Sequence, residues 1–266
     1  MTSEDWDPFA DPAEAEVAEP PIEASAALSM DPRSGGARWY AAKPVVTDRK
    51  LRVAVLHGTA SNATITKMQF SSMIRRGRDK VEMIVIPGRE TATDDDNADV
   101  KQMRDMFPGQ ELLWYAKGDK GAPDIIGEYE GIDEAIFYLQ SKLKENAPID
   151  GVFGFSQGGN MVAVLAAQAI SGEGVPFAFA IHDCTTSTGW RAKWPKFFST
   201  PLKMPSLHIW GRKDEFMGAD GSIFVRQGEE LPQLFSAPQM LSHSEGHRPF
   251  PENREEADDF ADKIIA

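Results

Sequence analysis

Cysteine is almost absent from this chain: Cys184 is the only one in 266 residues. An internal disulfide is therefore excluded, and a lone thiol fits a reducing compartment. Long apolar runs are missing as well. No stretch approaches the eighteen or so apolar residues that a membrane-spanning helix needs. The opening segment, MTSEDWDPFADPAEAEVAEPP, has neither a basic start nor an apolar core. It does not read as a secretory signal, and its acidity argues against a mitochondrial presequence. Together these absences predict a cytoplasmic protein. Positive charge is also in short supply, with a formal net charge of −13. Nucleic-acid binding needs a basic face, and none is visible. The signatures H-E-x-x-H, paired C-x-x-C and G-x-x-x-x-G-K-[ST] do not occur, so neither a metal nor an organic cofactor is implied. The acidic run Asp94–Asp99 does not fit a calcium loop: position six would be Asp99 where the turn needs glycine, and position twelve Asp105 rather than a bidentate Glu.

What is present is uneven. Residues 1–37 hold nine acids and one base, Arg33. This Ala/Pro-rich head has too little apolar surface to offset the entropy of ordering, and is expected to be a disordered extension. The rest, 48–266, is long enough to bury a core as one domain. Short apolar runs alternate there with longer amphipathic ones. Leu51–Gly58, Val81–Pro87, Gly151–Phe155, Phe177–His182, Ser206–Trp210 and Pro238–Leu241 read as strands. Thr64–Arg76, Tyr129–Glu145, Gln157–Ile170, Ser222–Leu231 and Glu252–Ile265 read as helices. That alternation predicts an α/β fold, a mainly parallel central sheet with helices on both faces. The loops after the strands then share one edge, where such folds assemble their sites. Two long excursions, 89–126 and 184–205, fall on that edge and are expected to cover a substrate. The second carries Trp190, Trp194, Phe197 and Phe198.

Chemistry enters at Gly154-Phe155-Ser156-Gln157-Gly158. G-x-S-x-G alone is a moderate signal. Here an apolar strand precedes the serine and a helix-forming stretch follows it, as a nucleophile elbow requires. Small neighbours let the serine occupy a strained strand-to-helix turn, and the helix N-terminus points its N–H groups at a developing oxyanion. Ser156 then needs a base, and the base an orienting acid. In the α/β-hydrolase order of serine, acid, histidine, His182, His208, His243 and His247 are eligible. The first two sit inside apolar strand patterns. His247 follows Gly246 in the last post-strand loop and is the favoured base, with His243 a supporting group. Asp214, after the strand Ser206–Trp210, is the favoured acid, and Asp183 is its rival at the end of Phe177–His182. The oxyanion donors are expected from the backbone N–H of Gln157 and from the loop after the first strand, at Thr59 or Ala60. His57 is expected to shape that loop rather than exchange protons.

Four separated motifs carry a resemblance: LHGTASN, IDGVFGFSQGGNMVAVLA, MPSLHIWGRKDEF and HSEGHRPFP. In this order, from about Leu51 to the end, they resemble the FSH family of serine hydrolases, near relatives of the acyl-protein thioesterases. The resemblance implies a cytosolic serine esterase or thioesterase acting on a small-molecule acyl ester or thioester, with Ser156, Asp214 and His247 as its triad. The stretch 89–126 diverges, so the acyl pocket does not carry over. Acyl transfer to an acceptor other than water would use the same triad, and a ligand-binding relative that has lost turnover is a third reading.

Overall fold

The computed structural model describes residues 49–93, 98–118, 129–185, 193–214 and 230–266. The acidic head, Asp94–Asn97, Trp190 and most of the expected helix Ser222–Leu231 lie outside the described residues. Asp48–Ala266 forms one compact unit. Its first half runs β1 (Leu51–Leu56), α1 (Ala63–Gln69), α2 (Ser71–Gly77), β2 (Val81–Ile86), β3 (Glu90–Thr91), α3 (Ala98–Met106), β4 (Leu113–Trp114) and β5 (Lys117–Gly118). There follow β6 (Tyr129–Glu130), α4 (Ile132–Glu145), β7 (Gly151–Phe155), α5 (Gln157–Ser171), β8 (Phe179–Asp183), β9 (Ser206–Gly211), β10 (Pro238–His243) and α6 (Arg254–Ile265).

Six strands make one sheet in the order β10-β9-β8-β7-β1-β2, and every neighbouring pair is parallel. Alternate residues of each strand face opposite layers, so the sheet separates two cores. Ala54, Leu56, Val152 and Ala180 join Ile136 and Leu139 of α4 and Met161 and Leu165 of α5. Val53, Val55, Phe153 and Ile181 join Met73 of α2 and Ala257 and Phe260 of α6. Both faces are thus covered, and β7, buried at all five positions, can afford no polar residue. Chain order reverses between β1 and β7, and a sheet of this kind opens a crevice at the carboxyl ends of those two strands.

The stretch Thr64–Arg76 forms two helices rather than one. Phe70 ends the first, because its ring turns into the core against Phe153 and Phe250 at centroid distances of 4.9 and 5.3 Å. Tyr129–Glu145 begins as the short strand β6, which pairs with β5. Gly131, at φ 74, stops the helix from extending back across it. Within 89–126, β3 and β4 form an antiparallel pair. Leu112, Trp114, Ala92 and Val100 build a small third core that includes Ala60 of the loop after β1.

Candidate active site

Ser156 stands between β7 and α5 at φ 51, ψ −116, a conformation that side chains rarely adopt. Its N–H donates to the carbonyl of Asp183 at 2.8 Å, and the Gly158 N–H donates to the carbonyl of His57 at 3.1 Å. These bonds hold the turn between β8 and β1. The turn closes only because its flanks are glycine. A Cβ on Gly154 would lie 2.4 Å from the Gly158 backbone, and one on Gly158 would lie 2.5 Å from the Leu56 carbonyl oxygen.

The other two groups arrive from the strands at the far end of the sheet. Arg212 N–H donates to His243 O at 2.9 Å and Lys213 N–H to Glu245 O at 2.9 Å, which ties the loop after β9 to the loop after β10. Gly211 permits this: a Cβ there would meet Gly246 O at 2.1 Å. His247 Nδ1 lies 2.8 Å from Asp214 Oδ2, and its Nε2 lies 3.0 Å from Ser156 Oγ. With Asp214 an acceptor only, Nδ1 carries the proton and Nε2 accepts from the serine hydroxyl. The Asp214 carboxylate is wholly buried, whereas the His247 ring, tilted over Phe155 at 5.1 Å, is 23% exposed and can meet a substrate.

Asp183 reaches the same neighbourhood but takes no part in this chain of bonds. Its carboxylate oxygens have no hydrogen-bond partner among the described residues. Burial, and then the charge of Asp214, push its carboxyl well above the usual carboxylate range. What it gives the site is its main-chain carbonyl. His243, the supporting group of the loop, accepts from Glu245 N–H through Nδ1 at 3.3 Å and packs its ring edge-on against Phe260.

The loop after β1 abuts the serine, since a Cβ on Gly58 would lie 3.2 Å from Ser156 Cβ. His57 holds this loop. Its Nε2 accepts from the Gly88 N–H at 2.8 Å, so Nδ1 carries the proton and donates to Gly58 O at 2.7 Å. Burial drives its pKa down to about 4, so this imidazole stays neutral. In a trans peptide the C=O and N–H point opposite ways. Fixing Gly58 O therefore fixes the direction of the Thr59 N–H. Gln157 is the first residue of α5, and its backbone N–H has no intrahelical acceptor.

Two contributors were not foreseen from the sequence. The Gln157 side chain accepts from Tyr115 N–H at 2.9 Å and donates to Ala116 O at 2.7 Å. The Tyr115 hydroxyl donates to Ile86 O at 2.6 Å and accepts from His57 N–H at 3.0 Å. This buried network ties the excursion after β2 to both the Ser156 turn and the loop after β1. The visible signal was a tyrosine at the end of an apolar run, Leu112–Tyr115, inside an otherwise polar excursion. In the other excursion, Trp194, Phe197 and Phe198 pack against the core that α5 helps to form.

A family model described as "Serine hydrolase (FSH1)" matches residues 46–260. Esterase OVCA2 of Xenopus tropicalis is 27% identical over 212 residues, spanning 75% of this chain and 86% of that protein. Rhodanese-like domain-containing protein 6 of Arabidopsis thaliana is 27% identical over 227 residues, but the match spans only 36% of its length. Among solved structures, esterase PE8 superimposes with a TM-score of 0.54 at 16% identity, covering 81% of this chain and 93% of that one, a likeness of fold. The structure carries an α/β-hydrolase sheet, and the chain belongs to the FSH1 family of serine hydrolases.

Proposed function

We propose that the protein cleaves a carboxylic ester or thioester of a small acyl substrate through an acyl-enzyme on Ser156. The observation that carries this reading is the unbroken chain from Ser156 Oγ through His247 to Asp214, at 3.0 and 2.8 Å, with the serine on a strained turn. His247 Nε2 takes the hydroxyl proton as Oγ attacks the carbonyl carbon. The backbone N–H groups of Gln157 and Thr59 receive the oxyanion, a contribution of about 10²–10³ in rate for each such donor. The protonated His247, steadied by Asp214, gives its proton to the departing alcohol or thiol. Water, deprotonated by the same nitrogen, then releases the acid and restores Ser156. No cofactor is needed for any of these steps. The excursions 89–126 and 184–205, which leave the sheet after the carboxyl ends of β2 and β8, would cover the acyl group. The frog relative is named an esterase, which points the same way.

The test is labelling with a fluorophosphonate probe, comparing wild type with Ser156→Ala. Wild type should label and the variant should not; an unlabelled, folded wild type would refute the proposal. A chain-length series of paired acyl esters and thioesters then identifies the substrate class.

A further inference from the structure

Beside Asp214 lies a group of polar side chains that the reaction leaves unused. Asp183 closes β8, Cys184 follows it, and His243 closes β10. One carboxylate oxygen of Asp183, the Cys184 sulfur and one ring nitrogen of His243 lie within 4.8 Å of one another. These residues are 0%, 0% and 2% exposed. Both oxygens of Asp183 and Nε2 of His243 have no hydrogen-bond partner among the described residues. Buried polar atoms are costly to leave unsatisfied, and these converge on one thiol. The same sulfur belongs to a second trio: Cys184 Sγ, an oxygen of Asp214 and a nitrogen of His247 also lie within 4.8 Å of one another.

Thiolate, imidazole and carboxylate are the donor set of Zn²⁺ and similar soft divalent cations, whereas Ca²⁺ and Mg²⁺ call for a shell of oxygens. A tetrahedral Zn²⁺ keeps its ligand atoms about 3.5 Å apart. The trio needs to close by only about an ångström to meet that geometry.

We propose that Asp183, Cys184 and His243 form an inhibitory site for Zn²⁺, with the Asp214 carboxylate recruited as fourth ligand. Binding releases the thiol proton and the Asp183 carboxyl proton to solvent, and it moves the His243 ring proton from Nε2 to Nδ1 at the expense of the 3.3 Å bond from Glu245 N–H; the ion then takes the sulfur, carboxylate and imidazole donors without any redox change. Inhibition, which rests on the proposed acyl-enzyme chemistry, follows from Asp214. A carboxylate engaged by the ion no longer orients His247 toward Ser156. Such an ion is a brake, distinct from a catalytic metal, and no step of hydrolysis requires it.

Binding can be read independently of turnover. Co²⁺ is titrated into the full-length Ser156→Ala protein. One equivalent should bind with a thiolate-to-cobalt charge-transfer band, and Zn²⁺ should displace it. Cys184→Ser in the same background should lose the band, and His243→Gln should weaken binding at least tenfold. In the wild-type enzyme Zn²⁺ should slow ester hydrolysis and a chelator should restore it. The Cys184→Ser enzyme should hydrolyse at the wild-type rate and resist Zn²⁺. A folded Ser156→Ala protein without the band, or Zn²⁺ inhibition undiminished in Cys184→Ser, would overturn the proposal. A chain that shows the band yet hydrolyses no ester leaves the metal site standing and removes the catalytic reading instead.

Discussion

Lowering the pH from 7 to 5 is expected to destabilise the fold steeply, because four histidines are buried and burial lowers the pKa of each. Burial holds His57 and His182 down at about 4, and burial together with the neighbouring His182 holds His208 at about 2. The last two stack on one another at 4.9 Å beneath Phe235, where no water screens a charge. In the unfolded chain each ring takes a proton near 6.5. Above that pH both states are neutral and nothing is lost. Below it the unfolded chain binds protons that the folded one refuses, so stability falls with pH, by about 1.4 kcal/mol per unit for each ring. Asp183 works in the opposite sense, since burial raises its carboxyl and favours the protonated form in the fold. It reduces the slope that the histidines set, which for His57, His182 and His208 alone is about 4 kcal/mol per pH unit. A domain has about 5–15 kcal/mol to lose, so one and a half units consume a large share of it. Urea unfolding followed by circular dichroism between pH 7 and 5 measures the slope directly. His208→Leu should reduce it by about one proton. A free energy of unfolding that stays flat between pH 6.5 and 5 would refute the burial of these rings in neutral form.

Other consequences can be tested one residue at a time. Asp214→Asn should lower kcat about 10⁴-fold by leaving His247 without its orienting acceptor, whereas Asp183→Asn should cost less than tenfold; steady-state kinetics on one ester decides, and the reverse order would assign the acid to Asp183. Gln157→Met keeps the backbone donor but leaves Tyr115 N–H and Ala116 O buried without partners, at about 1–3 kcal/mol each. It should lower the melting temperature by several degrees and speed proteolysis between Leu112 and Gly118; an unchanged melt would deny that the network holds the excursion in place. Gly158→Ala forces a methyl group to within 2.5 Å of the Leu56 carbonyl oxygen. It should cost about 3 kcal/mol or more in a denaturant melt, and a neutral result would mean that α5 can move off β1 freely.

The central architecture was readable because its signals are periodic. β7 was expected at Gly151–Phe155 and stands there, since five apolar residues bounded by Asp150 and a serine turn admit few alternatives. The meeting of Ser156, His247 and Asp214 was readable for another reason: each follows the carboxyl end of a parallel strand, so the sheet brings all three to one edge. What was not legible was cooperation between segments distant in sequence. Nothing local marks Phe70 as the break between two helices, because the cause is a pocket formed by Phe153 and Phe250. Nor could the sequence say that Tyr115 answers to His57 and Gln157, which lie 58 and 42 positions away. The excursion's residues look like polar filler until their backbone groups are traced to partners.

The strand order also has a consequence for how the enzyme fails. Ser156 and the loop beside it ride on β7 and β1, in the interior of the sheet, while His247 hangs from β10, which among the described residues is hydrogen-bonded within that sheet on one side only. Amide exchange should therefore be faster along β10 than along β7. On warming, the imidazole will detach from the serine before the barrel of contacts around α5 loosens. Activity will fade below the temperature at which the fold melts, and cooling will restore it.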